Sequence, residues 1–213
     1  MKKIIFSIVL IMLSCSTIFA DKQKVIGVTA FKNLVKAKQF SWLEVGIAES
    51  VSMKLRKVKQ YVVIDRVNVD KIIKEIKLGQ LGLTDSDSAK KVGKALNADY
   101  LVIGNFQTYS NQIRIYAKIV DVESHKVLKQ VQATGIIKNI FNLQDQIALK
   151  IINRSNIRLT SDTKRIIEEN YTQNLSAYEY YTKGQKLYYR AKYRPAIRMF
   201  QKAVNIDRNY SLA

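Results

Sequence analysis

Three aspartates stand where a carboxylate could do acid–base work. Asp65 follows the apolar run Tyr61-Val62-Val63-Ile64, Asp99 precedes Tyr100-Leu101-Val102-Ile103-Gly104, and Asp121 follows Ile119-Val120. Paired carboxylates with separated pKa values can donate and accept a proton in turn. At the ends of strands, however, aspartates commonly accept from backbone N–H groups or pair with arginine, and Asp65 has Arg66 beside it. His125 is the single histidine, so a histidine metal cluster is excluded and no serine has a base within a recognisable motif. The sequence holds no glycine-rich phosphate loop and no cysteine pair. No catalytic residue, metal or cofactor is therefore expected, and the chain reads as a non-enzyme.

The formal charge is +19 over 213 residues. Cations gather in helical clusters: Lys54, Arg56, Lys57 and Lys59; Lys71, Lys74 and Lys77; Lys90, Lys91 and Lys94. Such a field attracts anionic lipid, cell-wall polymer, acidic protein or nucleic acid, unless the clusters are simply solvated helix faces.

The N-terminus reads as a targeting segment. Lys2 and Lys3 precede the apolar stretch 4–13, which is short for a bilayer span. Cleavage after Ala20 suits an ordinary signal peptidase. Met12-Leu13-Ser14-Cys15 resembles a loose lipoprotein box, in which Cys15 would carry the lipid. Either reading exports the protein, to the periplasm or to an outer-membrane anchor, and export argues against nucleic acid as partner. Cys15 is the only cysteine, so no disulfide forms within the chain.

Periodicity marks the strands and helices that carry these residues. Val25, Ile26 and Val28 mark a strand over 24–30, with a loop over 31–39. Ser41 can cap a helix carrying Leu43, Ile47, Val51 and Leu55. Residues 61–64 and 100–104 are continuous apolar runs, expected as strands buried on both faces. Val69, Ile72, Ile73 and Ile76 mark a second helix. Residues 85–88 offer caps for a third, with Ala89, Val92 and Leu96. Ile113, Ile115, Ala117 and Ile119 alternate with polar residues, which marks a strand with one solvated face, and 127–134 returns as its hairpin partner. A fourth helix spans 142–156 with Leu143, Ile147, Ile151 and Ile152, and a helical connector spans 160–170. The sum is an α+β class, a mixed sheet with helices in two or three layers, followed by an all-α hairpin.

Residues 177–210 resemble one tetratricopeptide (TPR) repeat. Tyr180, Gly184 and Leu187 share a face of a first helix, with Gly184 bare enough for close approach by a second. Pro195 fits the first turn of that second helix, and Ala196, Phe200 and Ala203 form its inner face. Arg208 stands where the repeat usually closes on proline, and Lys183 where an apolar residue is common. The resemblance implies a protein-binding concave face on the side opposite Gly184, made of Tyr181, Gln185, Tyr188 and Tyr189. A plain helical hairpin covering the neighbouring domain is the alternative.

Four segments in order resemble the envelope family that includes CsgG-like curli secretion lipoproteins, FlgO-like flagellar proteins and TolB N-terminal-like domains. They are residues 61–66, 81–85, 93–104 and 119–123, within a match over about 25–159. The turn after Asp121-Val122 usually carries glycine in that family. Here Ser124-His125 occupy it, so the turn differs or His125 accepts a strained backbone. Membrane-spanning hairpins of a CsgG-type channel are not legible in the sequence, so pore formation is not carried over.

These readings divide the chain into a signal peptide (1–20), an α+β domain (21–159), a connector (160–176) and a TPR-like repeat (177–213). The resemblance implies a non-enzymatic envelope assembly or scaffold factor that binds envelope proteins of a secretion or flagellar assembly and leaves room for an oligomer. The lysine clusters imply an alternative, a module for anionic cell-wall polymer or lipid.

Overall fold

The computed structural model describes residues 23–76, 86–153 and 159–213. The signal-peptide and Cys15 readings, the segment 81–85, the cap at Asp85 and the end of the fourth helix at 154–156 lie outside them. Five strands, β1 (Lys24–Asn33), β2 (Tyr61–Val63), β3 (Tyr100–Tyr109), β4 (Gln112–Asp121) and β5 (Val127–Ile136), form one sheet in the order β2-β1-β3-β4-β5. β1 runs parallel to β2 and β3, whereas β3, β4 and β5 are antiparallel neighbours, so the sheet is mixed and the class is α+β.

Alternation in β4 puts Ile113, Ile115, Ala117 and Ile119 on one face, each at most 1% exposed. Helices α1 (Leu43–Arg56) and α4 (Ile140–Asn153) cover that face. Leu43, Ile47, Val51 and Leu55 of α1 and Ile147, Ile151 and Ile152 of α4 share one core with Ile26, Val28, Val102 and Phe106 of the sheet. Helices α2 (Arg66–Glu75) and α3 (Ser86–Ala95) lie on the opposite side. Ala89 and Val92 close there on Leu101, Ile103, Val120 and Val122, with Ile72, Ile73 and Ile76 partly buried beside them. The second cluster reaches only one end of the strands. The described residues are therefore three layers deep at that end and two at the other.

Three local expectations are corrected. β1 continues through Asn33 where a loop is expected, because Phe31 is fully buried against Gly104; a Cβ on that glycine would lie 2.3 Å from the ring. The run 61–64 is a short edge strand with Val62 45% exposed, not one buried on both faces, because only β1 pairs with it. Ser41 does not cap α1. Trp42 holds that position without a side-chain acceptor, and its carbonyl receives the Gly46 N–H.

Helix α5 (Ser161–Glu168) starts at Thr160, whose Oγ1 accepts from the Thr163 N–H at 3.1 Å. Helix α6 (Leu175–Tyr188) is capped by Asn174, which accepts from Ser176 and Ala177. Helix α7 (Tyr193–Ile206) carries Pro195 in its first turn, where no intrahelical N–H is lost. Ala177, Tyr178, Tyr181 and Ala203 of the helix pair, with Tyr210 just after it, belong to the same core as α1 and α4. The pair is thus packed into the α+β unit.

Candidate functional site

The densest polar chemistry sits where α6 lies on α1. Gly46 makes the approach possible: a Cβ there would meet Thr182 Cγ2 and Tyr178 Oη at 3.0 Å. The Tyr178 hydroxyl donates to the Gly46 carbonyl at 2.5 Å and accepts from Gln144 Nε2 at 2.9 Å. Its ring stands edge-on to Trp42 at 5.7 Å and tilted against Phe141 at 5.1 Å. Burial pushes the Tyr178 hydroxyl far above the usual tyrosine range, so it stays a donor at any physiological pH. At the entry to α1, Lys186 Nζ reaches Glu44 Oε2 at 3.1 Å and the Ser41 carbonyl at 3.2 Å.

Two buried ion groups extend this junction. In the first, Arg66 holds Asp70 with two bonds of 2.9 and 3.0 Å, donates to the Val28 carbonyl at 3.2 Å and lies 3.4 Å from Glu49 Oε1. Tyr189 donates its hydroxyl to the same Glu49 oxygen, and its ring lies under the Arg66 guanidinium. Burial raises the Glu49 carboxyl above its usual range, with the Tyr189 hydrogen bond and the Arg66 charge opposing. In the second group, Lys54, 3% exposed, pairs with Asp145 at 2.5 Å and donates to the Ile167 carbonyl and to Asn170. Burial raises the Asp145 carboxyl, against the pull of Lys54. Lys57 follows the same course, donating to the carbonyls of Ile166 and Glu169, and burial lowers its pKa.

The first lysine cluster is therefore corrected: Lys54 and Lys57 tie α1 to the α5 region and are not a solvated anion patch. Periodicity missed this because a buried cation looks like a solvated one until its partner, 91 positions on in the case of Asp145, is placed beside it. Lys71 and Lys74 on α2 and Lys91 and Lys94 on α3 are exposed, and Lys90 is half-buried.

The tyrosine face is corrected as well. Tyr181 is 4% exposed, stacked between Phe200 and Tyr210 at 5.7 and 5.0 Å, and Gln185 donates to its hydroxyl at 2.7 Å. Burial pushes the Tyr181 hydroxyl up to about 12. Tyr189 is bound to Glu49. Only Tyr188, 48% exposed, remains open. Tyr181, Gln185, Tyr188 and Tyr189 thus form no open groove, because α1 and the segment at Tyr210 occupy the space a partner would fill. On the inner side of the pair, Gly184 lies against Phe200, where a Cβ would come within 2.5 Å of the ring. Ala196 and Ala203 are buried, and Tyr180 and Leu187 are half-buried.

The three aspartates do not converge. Asp65 pairs with Arg56 at 2.7 Å on the surface. Asp99 accepts from the Val25 N–H at 2.7 Å, and Asp121 accepts from the Ser124 N–H at 2.7 Å. Burial works against the Asp121 carboxylate, but the hydrogen bonds from Ser124 and Glu123 and the Lys24 charge together lower its pKa. His125 has φ 62, the strained option for that turn, and its Nε2 is buried without a hydrogen-bond partner. Among the described residues, no group of three histidine, cysteine or acidic side chains could hold a metal, and no helix is long and apolar enough to cross a membrane.

The family model described as "Curli production assembly/transport component CsgG" matches residues 14–116, which runs from the N-terminal segment into the middle of β4. Among solved structures, the LpoB C-terminal domain from Salmonella enterica is 12% identical, with a TM-score of 0.42 over 60% of this chain and 92% of that one. TolB from Acinetobacter baumannii is 12% identical, with a TM-score of 0.45 over 63% of this chain and 28% of that one. A PelC dodecamer from Paraburkholderia phytofirmans is 15% identical, with a TM-score of 0.42 over 66% and 91%. No curated protein matches the sequence.

Proposed function

We propose that this chain is an exported, non-enzymatic envelope protein that acts as a protein-binding assembly or scaffold factor. It would work in the periplasm, or at the outer membrane if Cys15 is lipidated. The CsgG family match supports the envelope setting. The TPR-like pattern of residues 177–213 supports protein binding by the helix pair, although not through its tyrosine face.

The observation that carries the reading is the outward side of α7. Ile197 is 53% and Tyr193 58% exposed. A hollow of about 330 Å3 lies along the helix between Ile197, Phe200 and Val204. Arg194, Arg198 and Lys202 are exposed on the same helix. Arg194 and Arg198 border the apolar stripe on one side, whereas Lys202 lies over the Tyr180 ring of α6, so the stripe fits an amphipathic helix with one acidic margin. The junction on α1 holds this stripe in a fixed orientation, so its binding surface is pre-organised.

The test is a photo-crosslinking residue placed at Ile197 in cells, with one at Val62 as control. One defined envelope protein captured only from Ile197 is expected. Binding of that purified protein should then fall by about tenfold or more in Ile197→Asp/Val204→Asp, with thermal stability unchanged. Identical adducts from both positions, or undiminished binding by the double variant, would refute the reading.

A further inference from the structure

Among the described residues, the sheet face opposite α1 and α4 is covered by α2 and α3 at one end only, and none of them covers the remainder. Its rows are fixed by register. Lys118 faces Ile103 and Gln130; Tyr116 faces Asn105 and Gln132; Arg114 faces Gln107 and Thr134. Lys32 of β1 extends the middle row beside Asn105. Two hollows of about 250 and 380 Å3 follow one another along these rows, the first around Lys118 and Tyr116, the second around Arg114 and Tyr109. From Ile103 to Tyr109 the trough is roughly 20 Å long at strand rise.

Its chemistry is unusual for a bare sheet. Among the described residues, the lining holds Lys32, Arg114 and Lys118 and not one aspartate or glutamate. Between the cations stand amides and hydroxyls, Asn105, Gln107, Gln112, Gln130 and Thr134, groups that donate and accept at once. Arg114 Nη1 donates to the Tyr116 hydroxyl at 3.4 Å, which restrains both side chains. Tyr109, 86% exposed at the far end, offers a flat apolar ring with a polar tip.

We infer that this trough binds a linear anionic polysaccharide. Arg114 and Lys118 would pair with carboxylates about four strand residues apart, the amides would take sugar hydroxyls, and Tyr109 would stack on a ring. A single-stranded nucleic acid would call for aromatic platforms in succession, and a protein partner for a buried apolar anchor. In the trough Tyr116 is held by Arg114, which leaves Tyr109 as a single platform at one end, and among the described residues Val35 is a lone exposed aliphatic contact. The inference is independent of the α7 surface, which lies on a separate helix.

The test is titration of the mature full chain with a polyuronate oligosaccharide, a neutral dextran of equal length and a single-stranded DNA of equal charge. Polyuronate should bind, and dextran and DNA should bind at least about tenfold more weakly. Arg114→Gln/Lys118→Gln should weaken polyuronate by about tenfold, whereas Lys71→Gln/Lys74→Gln, the same charge removed from α2, should change it less than about twofold. Tyr109→Ala should weaken it severalfold without altering the salt dependence. No polyuronate binding, equal loss in both double variants, or DNA bound as tightly as polyuronate would each overturn the inference.

Discussion

The hydroxyl of Tyr178 donates to the backbone carbonyl of Gly46 across 132 positions of sequence, and this bond seats the C-terminal helix pair on the α+β domain. Gly46 sits inside α1, where a bare backbone is what allows α6 to come close enough. Tyr178→Phe keeps the ring among Trp42 and Phe141 but removes the donor. It should cost about 1–3 kcal/mol, the range for leaving a buried partner unsatisfied. Urea unfolding gives the loss, and hydrogen exchange should show it first in α6 and α7.

Gly184→Ala tests the approach of the two helices. Alanine gains about 1 kcal/mol in helix propensity. The new Cβ meets the Phe200 ring at 2.5 Å, and such overpacking costs about 1–3 kcal/mol. A net loss is expected by denaturant titration, and Gly184→Ala/Phe200→Leu should recover much of it.

The pair Lys54–Asp145 should behave as a buried ion pair. Lys54→Ala leaves Asp145 without its cation and should cost about 3–5 kcal/mol. Lys54→Met/Asp145→Leu removes both charges and should restore most of that stability. A double variant as unstable as the single one would assign the loss to the Ile167 and Asn170 bonds instead.

Glu49 gives the pH dependence a sign. Its carboxyl is raised from the ordinary 4.5, so the folded state binds the proton more tightly than the unfolded one. That contribution is complete below about 4.5 and is lost as pH rises through the raised value. The stability difference between the native protein and Glu49→Gln should therefore fall with rising pH over that window and then level off. Thermal melts of both proteins across it measure the slope.

His125→Gly should stabilise the protein by about 0.5–1 kcal/mol. It relieves a left-handed backbone and deletes a ring nitrogen buried without a partner, which together outweigh the added freedom of the unfolded chain.

Short-range periodicity makes part of the fold readable without coordinates. The alternation from Ile113 to Ile119 defined β4 and its buried face, because side chains in a strand change sides at every step. The helix stripes in α1, α2 and α4, the contact between Gly184 and the Phe200 ring, and the strained turn at His125 were legible for similarly local reasons. The partners that the polar residues meet depend on the three-dimensional packing. Lys54 reads as one more surface lysine until α4 brings Asp145 to it. Tyr181 and Tyr189 read as an open face until α1 and the segment at Tyr210 cover them. The polar rows of Asn105, Arg114 and Lys118 became a candidate surface only once the register aligned three strands and α2 and α3 stopped short of covering them. Periodicity gives the direction in which a side chain points. What it meets there is set by elements many tens of residues away, and a local pattern carries no information about them.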